Sequence, residues 1–174
     1  MLEVALILFF PFFMAFSAAS DLVSMTISNK VSLALMAGFM LFAFVIGMPA
    51  AEIAWHWAMF ALVLAAGFAL FAFGAIGGGD AKLAAATALW FGWEHIMVYL
   101  VTAAFFGGLL TLLILKLRSV PLPDRFERVD WIARLYRADE GVPYGIALAA
   151  AAFTVYPNTP WMQLVFESAR SIGG

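Results

Sequence analysis

The sequence contains no cysteine and little charge. None of its 174 residues is cysteine, only 11% are charged, and the net charge is −2. The absence of cysteine excludes disulfides, thiol catalysis and a cysteine-based zinc site. The two histidines, His56 and His95, lack the spacing of a metal-binding pair, and no basic patch indicates nucleic-acid binding. We therefore expect no metal, no cofactor and no nucleic-acid partner.

Apolar residues are in excess, at 66% of the chain with a mean hydropathy of +1.01. A soluble domain is about half apolar and about a quarter charged. The composition indicates an all-α, polytopic membrane protein with a single domain over residues 1–174. We predict six spans, of which the fourth is a short or tilted helix that is too short to cross the apolar core of the bilayer alone. They cover about residues 2–19, 31–48, 53–76, 81–93, 96–115 and 142–156.

The positive charges fall in alternate loops. Of nine Lys and Arg residues, only Arg170 lies outside the loops that contain Lys30, Lys82 and residues 116–141. The positive-inside rule places those loops in the cytoplasm and both termini on the other side, which agrees with six crossings. The first segment lacks the basic start and the cleavage site of a signal peptide, so we expect it to remain as a span.

The one long polar segment is the loop at residues 116–141. Between Asp124 and Arg137 its apolar residues recur at helical spacing, which predicts an amphipathic helix on the cytoplasmic membrane surface. Its arginines are expected to contact anionic lipid, or alternatively to dock an acidic residue of a substrate.

Two aspartates lie at the cytoplasmic ends of predicted spans. Asp21 ends the first, and Asp80 follows Gly77 and Gly79 after the third. A charge at this depth indicates function by default. Two adjacent carboxyl groups can share a proton and activate water for peptide hydrolysis. The simpler interpretation of each is a helix cap, and we expect Asp80 at the N-cap of the next helix.

Other polar and aromatic residues near span ends have simpler interpretations. Lys82 either extends its ammonium group to the interface or tunes the aspartate pair, and Asn29 caps a helix or holds the substrate backbone. The tryptophans near span ends predict an interfacial belt: Trp55, Trp57, Trp90, Trp93 and Trp161. We expect four residues on the side away from the aspartates to be solvated: Glu52, His56, Glu94 and His95.

Three segments resemble motifs of the prepilin (type IV leader) peptidases. Gly77-x-Gly79-Asp80-Ala81-Lys82-Leu83 is similar to their GxGD-x-K-L motif. Asp21-Leu22-x4-Ile27-Ser28-Asn29 resembles their first aspartate motif, with Ser28 in place of the usual proline. Val142-Pro143-Tyr144-Gly145-Ile146-Ala147 is similar to the segment that opens their last helix. The departure at Ser28 is expected to loosen its loop without removing a reactive group.

The resemblance implies an aspartic endopeptidase of the bacterial inner membrane that removes the leader from prepilin or pseudopilin precursors at the cytoplasmic face. It implies that Asp21 and Asp80 are catalytic, with Gly77, Gly79, Lys82 and Asn29 shaping the site. Membrane lipids are the other expected partner. Without cysteines or the cysteine-rich insert of the bifunctional members, the chain is similar to the short CpaA/TadV type that serves tight-adherence (Flp) pili, and methyltransferase activity is not expected.

Two alternatives stay open at this stage. A small ion-coupled transporter or channel would use an aspartate as a proton relay, and it predicts paired polar groups near mid-span. A presenilin-like GxGD protease would carry a tyrosine before its first aspartate, whereas Ser20 precedes Asp21.

Overall fold

Every regular element among residues 2–173 is helical. The computed structural model describes these residues, apart from the side chains of Asp124 and of residues 171–173. The all-α prediction is confirmed. The seven α-helices of the described residues are α1 (Leu2–Ser24), α2 (Asn29–Val45), α3 (Ala50–Ala72), α4 (Gly78–Arg118), α5 (Asp130–Tyr136), α6 (Gly145–Val155) and α7 (Pro160–Gly173).

Three helices, α1, α3 and α4, are long and apolar enough to cross a membrane. Two shorter apolar helices accompany them, Asn29–Val45 and Gly145–Asn158. Many large apolar side chains on their surfaces are exposed, as Phe44 and Phe73 are at 84% and 87%. Contiguous exposed apolar surface is rare on soluble monomers, so these faces suit a lipid environment.

Helix α4 contains both the fourth and the fifth predicted helices. Its backbone leaves helical geometry at Gly92, where φ is 57° and ψ is −166°, two residues before the break predicted at Glu94. Glycine adopts this left-handed φ without the steric cost that a side chain imposes. The break divides α4 into a first arm (residues 78–91) and a second arm (residues 93–118).

Both outer ends of α4 lie at the same end of the bundle. In the first arm, Lys82 contacts Asn29 at the start of α2. In the second arm, the Thr111 hydroxyl hydrogen-bonds that of Tyr144, next to the start of α6. We call this end, where α1 ends and α4 begins, the aspartate end, and the other the opposite end.

At the opposite end, side chains bind the backbone carbonyls near the break. Nδ1 of His56 hydrogen-bonds the Leu89 carbonyl, and Nε1 of Trp161 donates to the Trp90 carbonyl at 2.7 Å. A helix break leaves carbonyls without their usual partners, and buried carbonyls need replacements. These contacts attach α3 and α7 to the turn between the two arms.

Two of the tryptophans expected in an interfacial belt lie in the core instead. Trp90 and Trp161 are 0% and 2% exposed, and their ring centroids are 5.2 Å apart. Phe10 and Tyr156 stack beside them at 4.5 Å. The predicted belt assignment is therefore wrong for these two residues, because Trp90 packs among aromatic side chains of α1 and α2 and Trp161 of α7 packs against it.

The segment after α4 differs from its prediction. In place of one amphipathic helix from Asp124 to Arg137, it has a 3₁₀ turn at Asp124–Phe126 and the seven-residue α5. Residues 131–136 are all half-buried, so α5 has no distinct exposed face. Arg118 secures the segment by donating to three carbonyls at 2.8–3.1 Å: Leu135, Glu140 and Gly141.

Candidate active site

Asp21 lies in the last turn of α1, which extends five residues past its predicted end at residue 19. Its carboxylate is 6% exposed. Oδ2 accepts a hydrogen bond of 2.7 Å from the backbone N–H of Gly145, the first residue of α6. A buried carboxylate needs such a donor to offset its lost hydration. The contact joins the end of α1 to the start of α6.

The turn after α1 is held by short polar side chains. The Ser20 hydroxyl donates to the Thr26 carbonyl at 2.9 Å. Ser28, which replaces the usual proline, has φ of −66° and accepts a hydrogen bond from the N–H of Lys30 at 3.3 Å as the N-cap of α2. Proline fixes φ near that value. Ser28 thus keeps the backbone conformation of a proline and adds a capping bond, rather than only loosening the loop.

Asp80 lies at the third helical position of α4, and not at its N-cap as predicted. The N-cap is Gly77, whose N–H donates to Oδ2 of Asp80 at 3.2 Å. A Cβ on residue 77 would lie 2.7 Å from that same oxygen. Glycine at this position therefore lets the Asp80 carboxylate turn back over the start of its own helix. Asp80 itself is half-buried.

The two aspartates lie at the same end of the bundle. The turn after α1 packs on the start of α4, since a Cβ added to Gly79 would lie 3.2 Å from Cβ of Ile27. Asp21 belongs to the last turn of α1 and Asp80 to the first turn of α4, so the packing of these two elements places both carboxylates in one region. The fold thus places at one end of the bundle the two side chains that the sequence singled out.

Lys82 and Asn29 form a direct contact beside this pair. Nζ of Lys82 donates to Oδ1 of Asn29 at 2.9 Å, and both side chains are exposed. The bond joins the first turn of α4 to the first residue of α2. This tie between helices is a role of Asn29 that was not considered from the sequence.

We expect Lys82→Met and Asn29→Ala to be coupled in stability. Each should remove the same hydrogen bond, whose net contribution is about 0.5–1.5 kcal/mol. A double-mutant cycle on the purified protein should therefore give a coupling energy in the lower part of that range, because both groups are exposed. Strictly additive losses in the double variant would show that the contact contributes nothing.

The contact of Gly145 with Asp21 was not predicted from the sequence. A Cβ there would lie 2.9 Å from both Cβ and Oδ2 of Asp21. Only its motif was visible in the sequence, as the segment Val142 to Ala147. Which side chain its N–H would meet depends on how α6 docks, and no local pattern encodes that.

The arrangement offers two carboxyl groups at one end of the bundle, each accepting a hydrogen bond from a backbone N–H. Among the described residues, no group of three His, Asp or Glu side chains could hold a metal ion. A model of the type IV leader peptidase family matches residues 8–112, which is more than half of the chain and includes Asp21 and Asp80. The chain belongs to the type IV leader peptidase family. This confirms the resemblance found in the sequence.

Membership identifies the chain as a protease of the prepilin peptidase type, for which prepilin-type proteins are the implied substrates. Together with the long apolar helices, it indicates a membrane protein. It does not favour the ion-coupled transporter. The leader peptidase match ends before Gly145, so the donor to Asp21 lies outside the matched segment. Searches of curated proteins and of solved structures found no match.

Proposed function

We propose that this leader peptidase is an aspartic endopeptidase whose catalytic residues are Asp21 and Asp80. The observation that carries the proposal is their meeting at one end of the bundle, from two helices that are distant in sequence. Each carboxylate has one backbone donor, from Gly145 and from Gly77. Hydrogen bonds from rigid helix starts fix the orientation of both groups, as general acid–base catalysis requires.

In the proposed reaction, the pair shares one proton and holds a water molecule. The ionised carboxyl group takes a proton from the water as its oxygen attacks the scissile carbonyl carbon. The protonated carboxyl group donates to the carbonyl oxygen, and the tetrahedral intermediate collapses as a proton passes to the leaving amine. The protons belong to the pair, so neither residue has a fixed role. Two carboxyl groups and water suffice for this reaction.

The proposed substrate is the precursor of an Flp-type pilin, in keeping with a short, cysteine-free member of the family. Its leader would be cut just before its apolar helix, which would lie in the bilayer beside the bundle. Gly77 and Gly79 shape the site by close packing, Gly77 against the Asp80 carboxylate and Gly79 against Ile27. The extended substrate segment would approach Asp80 by backbone pairing, which is a common mode of peptide binding.

The proposed orientation places the aspartate end in the cytoplasm of a bacterial inner membrane, with six crossings and both termini in the periplasm. Contacts at this end involve Lys30, Lys82 and Arg118, and Lys116 lies in the last turn of α4. The other basic loop residues lie between α4 and α6: Arg125, Arg128, Arg134 and Arg137. Because α4 reverses direction at Gly92, its two arms are counted as two separate crossings of the membrane. Cytoplasmic loops carry most Lys and Arg in membrane proteins.

Single cysteines would test this orientation, because the natural chain has none. We expect a membrane-impermeant maleimide to label Ala50→Cys, at the opposite end, in spheroplasts. Asp139→Cys should react only after the membrane is opened. Labelling of both in intact spheroplasts, or of Asp139→Cys alone, would contradict the orientation.

The function itself is tested by co-expressing the chain with an Flp-type prepilin. We expect a shortened pilin whose new N-terminus, read by mass spectrometry, lies at the junction between the basic leader and the apolar helix. A prepilin that stays full length beside abundant, membrane-inserted peptidase would refute the proposed substrate.

A further inference from the structure

A cavity of about 610 Å³ lies at the opposite end, away from the aspartates. It is bordered by the first turns of α3, by the break in α4 and by the start of α7. Its size falls within the range of small-molecule sites, about 300–1,000 Å³. The four residues expected to be solvated border it together: Glu52, His56, Glu94 and His95.

The cavity wall carries several hydrogen-bond acceptors beside the indole N–H groups of Trp55 and Trp93. Nδ1 of His56 bonds the Leu89 carbonyl, and a carbonyl only accepts. In the tautomer that makes this bond with one proton, the proton lies on Nδ1 and Nε2 is an acceptor. Glu52 and Glu94 add two carboxylates, and no Lys or Arg is among the described residues that line the cavity.

The imidazole of His56 is held in place by the break in α4. A Cβ added to Gly92 would lie 2.8 Å from Cε1 of His56, so the ring packs directly on the glycine backbone. Nδ1 of His95 is buried and has no hydrogen-bond partner among the described residues. This nitrogen is inaccessible, so a ligand in the cavity would not contact it.

Two indoles complete the wall. Trp55 and Trp93 line the cavity and are 65% and 69% exposed. Indole faces attract organic cations, and the attraction adds to that of nearby carboxylates. A metal ion needs at least three close ligands, and the acidic and imidazole groups of the described residues are too far apart to supply them.

We propose that this cavity binds an organic ammonium group, from the headgroup of an amine-bearing phospholipid or from a soluble amine. Ammonium N–H groups would donate to Glu52, Glu94 and Nε2 of His56, and the carbon chain would lie against the indoles. The site is independent of the proposed peptidase centre, since it lies at the other end of the bundle.

Lipid and soluble-amine binding should be measured separately on the full-length purified protein. In the first measurement, delipidated protein is titrated with phosphatidylethanolamine or with phosphatidylglycerol of the same acyl chains, and adducts are counted by native mass spectrometry. In the second, ethanolamine hydrochloride is titrated against equal concentrations of sodium chloride while tryptophan fluorescence is followed. Both use the wild type, Glu52→Gln/Glu94→Gln and a control, Glu127→Gln, an exposed carboxylate in the segment between α4 and α6.

We expect the wild type and Glu127→Gln to bind alike and the double variant to bind at least about tenfold more weakly, because charge-assisted hydrogen bonds are lost. Trp93→Leu should weaken binding several-fold while keeping both carboxylates. Preference for phosphatidylethanolamine identifies a lipid ligand, and saturable ethanolamine binding without lipid preference identifies a soluble amine. Wild type that binds neither probe, or a folded double variant that binds like wild type, would overturn the proposal.

Discussion

Asp21→Asn and Asp80→Asn are each expected to abolish prepilin cleavage, with a loss of at least about 10²–10⁴-fold in rate, which is the usual contribution of general acid–base catalysis. Asparagine keeps the size of the side chain and an oxygen that can still accept from Gly145 or Gly77. It removes the group that exchanges a proton with water. The rate should be measured on co-expressed or purified prepilin, with each variant present in the membrane at the wild-type level.

Asp139→Asn is the matched control for this pair. Asp139 lies in the exposed segment before α6 and pairs with Arg137 at 3.1 Å, and this guanidinium lowers the pKa of the Asp139 carboxyl. An exposed ion pair contributes little, so cleavage should remain at the wild-type rate. If either asparagine variant at position 21 or 80 kept that rate, the two-aspartate mechanism would be wrong.

Gly145→Ala is expected to lower kcat by about 10- to 100-fold and to leave KM nearly unchanged. The added Cβ would lie 2.9 Å from Cβ and Oδ2 of Asp21, so the helix or the carboxylate must move. A displacement of about 1 Å at a reacting group can cost about 10²-fold in rate. Single-turnover cleavage of purified prepilin by wild type and variant measures this loss.

The control for Gly145→Ala is Gly108→Ala in the second arm of α4. A Cβ there meets no atom within 4 Å, and alanine favours a helix over glycine by about 1 kcal/mol. We expect full activity and equal or greater thermal stability. If Gly145→Ala retained wild-type kcat, the close approach of α6 to Asp21 would have no part in catalysis.

Hydropathy predicted the all-helical fold and the motifs predicted the family, since apolar run length and GxGD are both local features. The catalytic role of the two aspartates stays a prediction. What the sequence left unpredicted depends on distant contacts. The residues after the last predicted span were expected to form only a tail. They form α7, whose Trp161 donates a hydrogen bond to the Trp90 carbonyl in the core. The backbone donor to Asp21 was also not predicted. Nothing in the local sequence distinguishes the N–H of Gly145 from other backbone N–H groups, because its contact with Asp21 forms only when α6 packs against α1.

The position of the helix N-cap was missed for a related reason. Aspartate is a common N-cap, so residue 80 was the natural choice. The structure instead begins α4 at Gly78, with Gly77 as its cap. Because residue 77 is glycine, the Asp80 carboxylate has room to fold back over the start of α4. Helix propensity scales treat residues one at a time, so they do not predict this contact between two positions.

The hydrogen bond from Gly145 to Asp21 spans 124 positions of the chain. During synthesis, therefore, the carboxylate of the first helix has no such donor until residue 145 has been added. A nascent chain arrested before residue 145 would carry both acidic groups and still lack the finished arrangement. The order of translation thereby delays completion of the site until the helices α1 to α5 have been made.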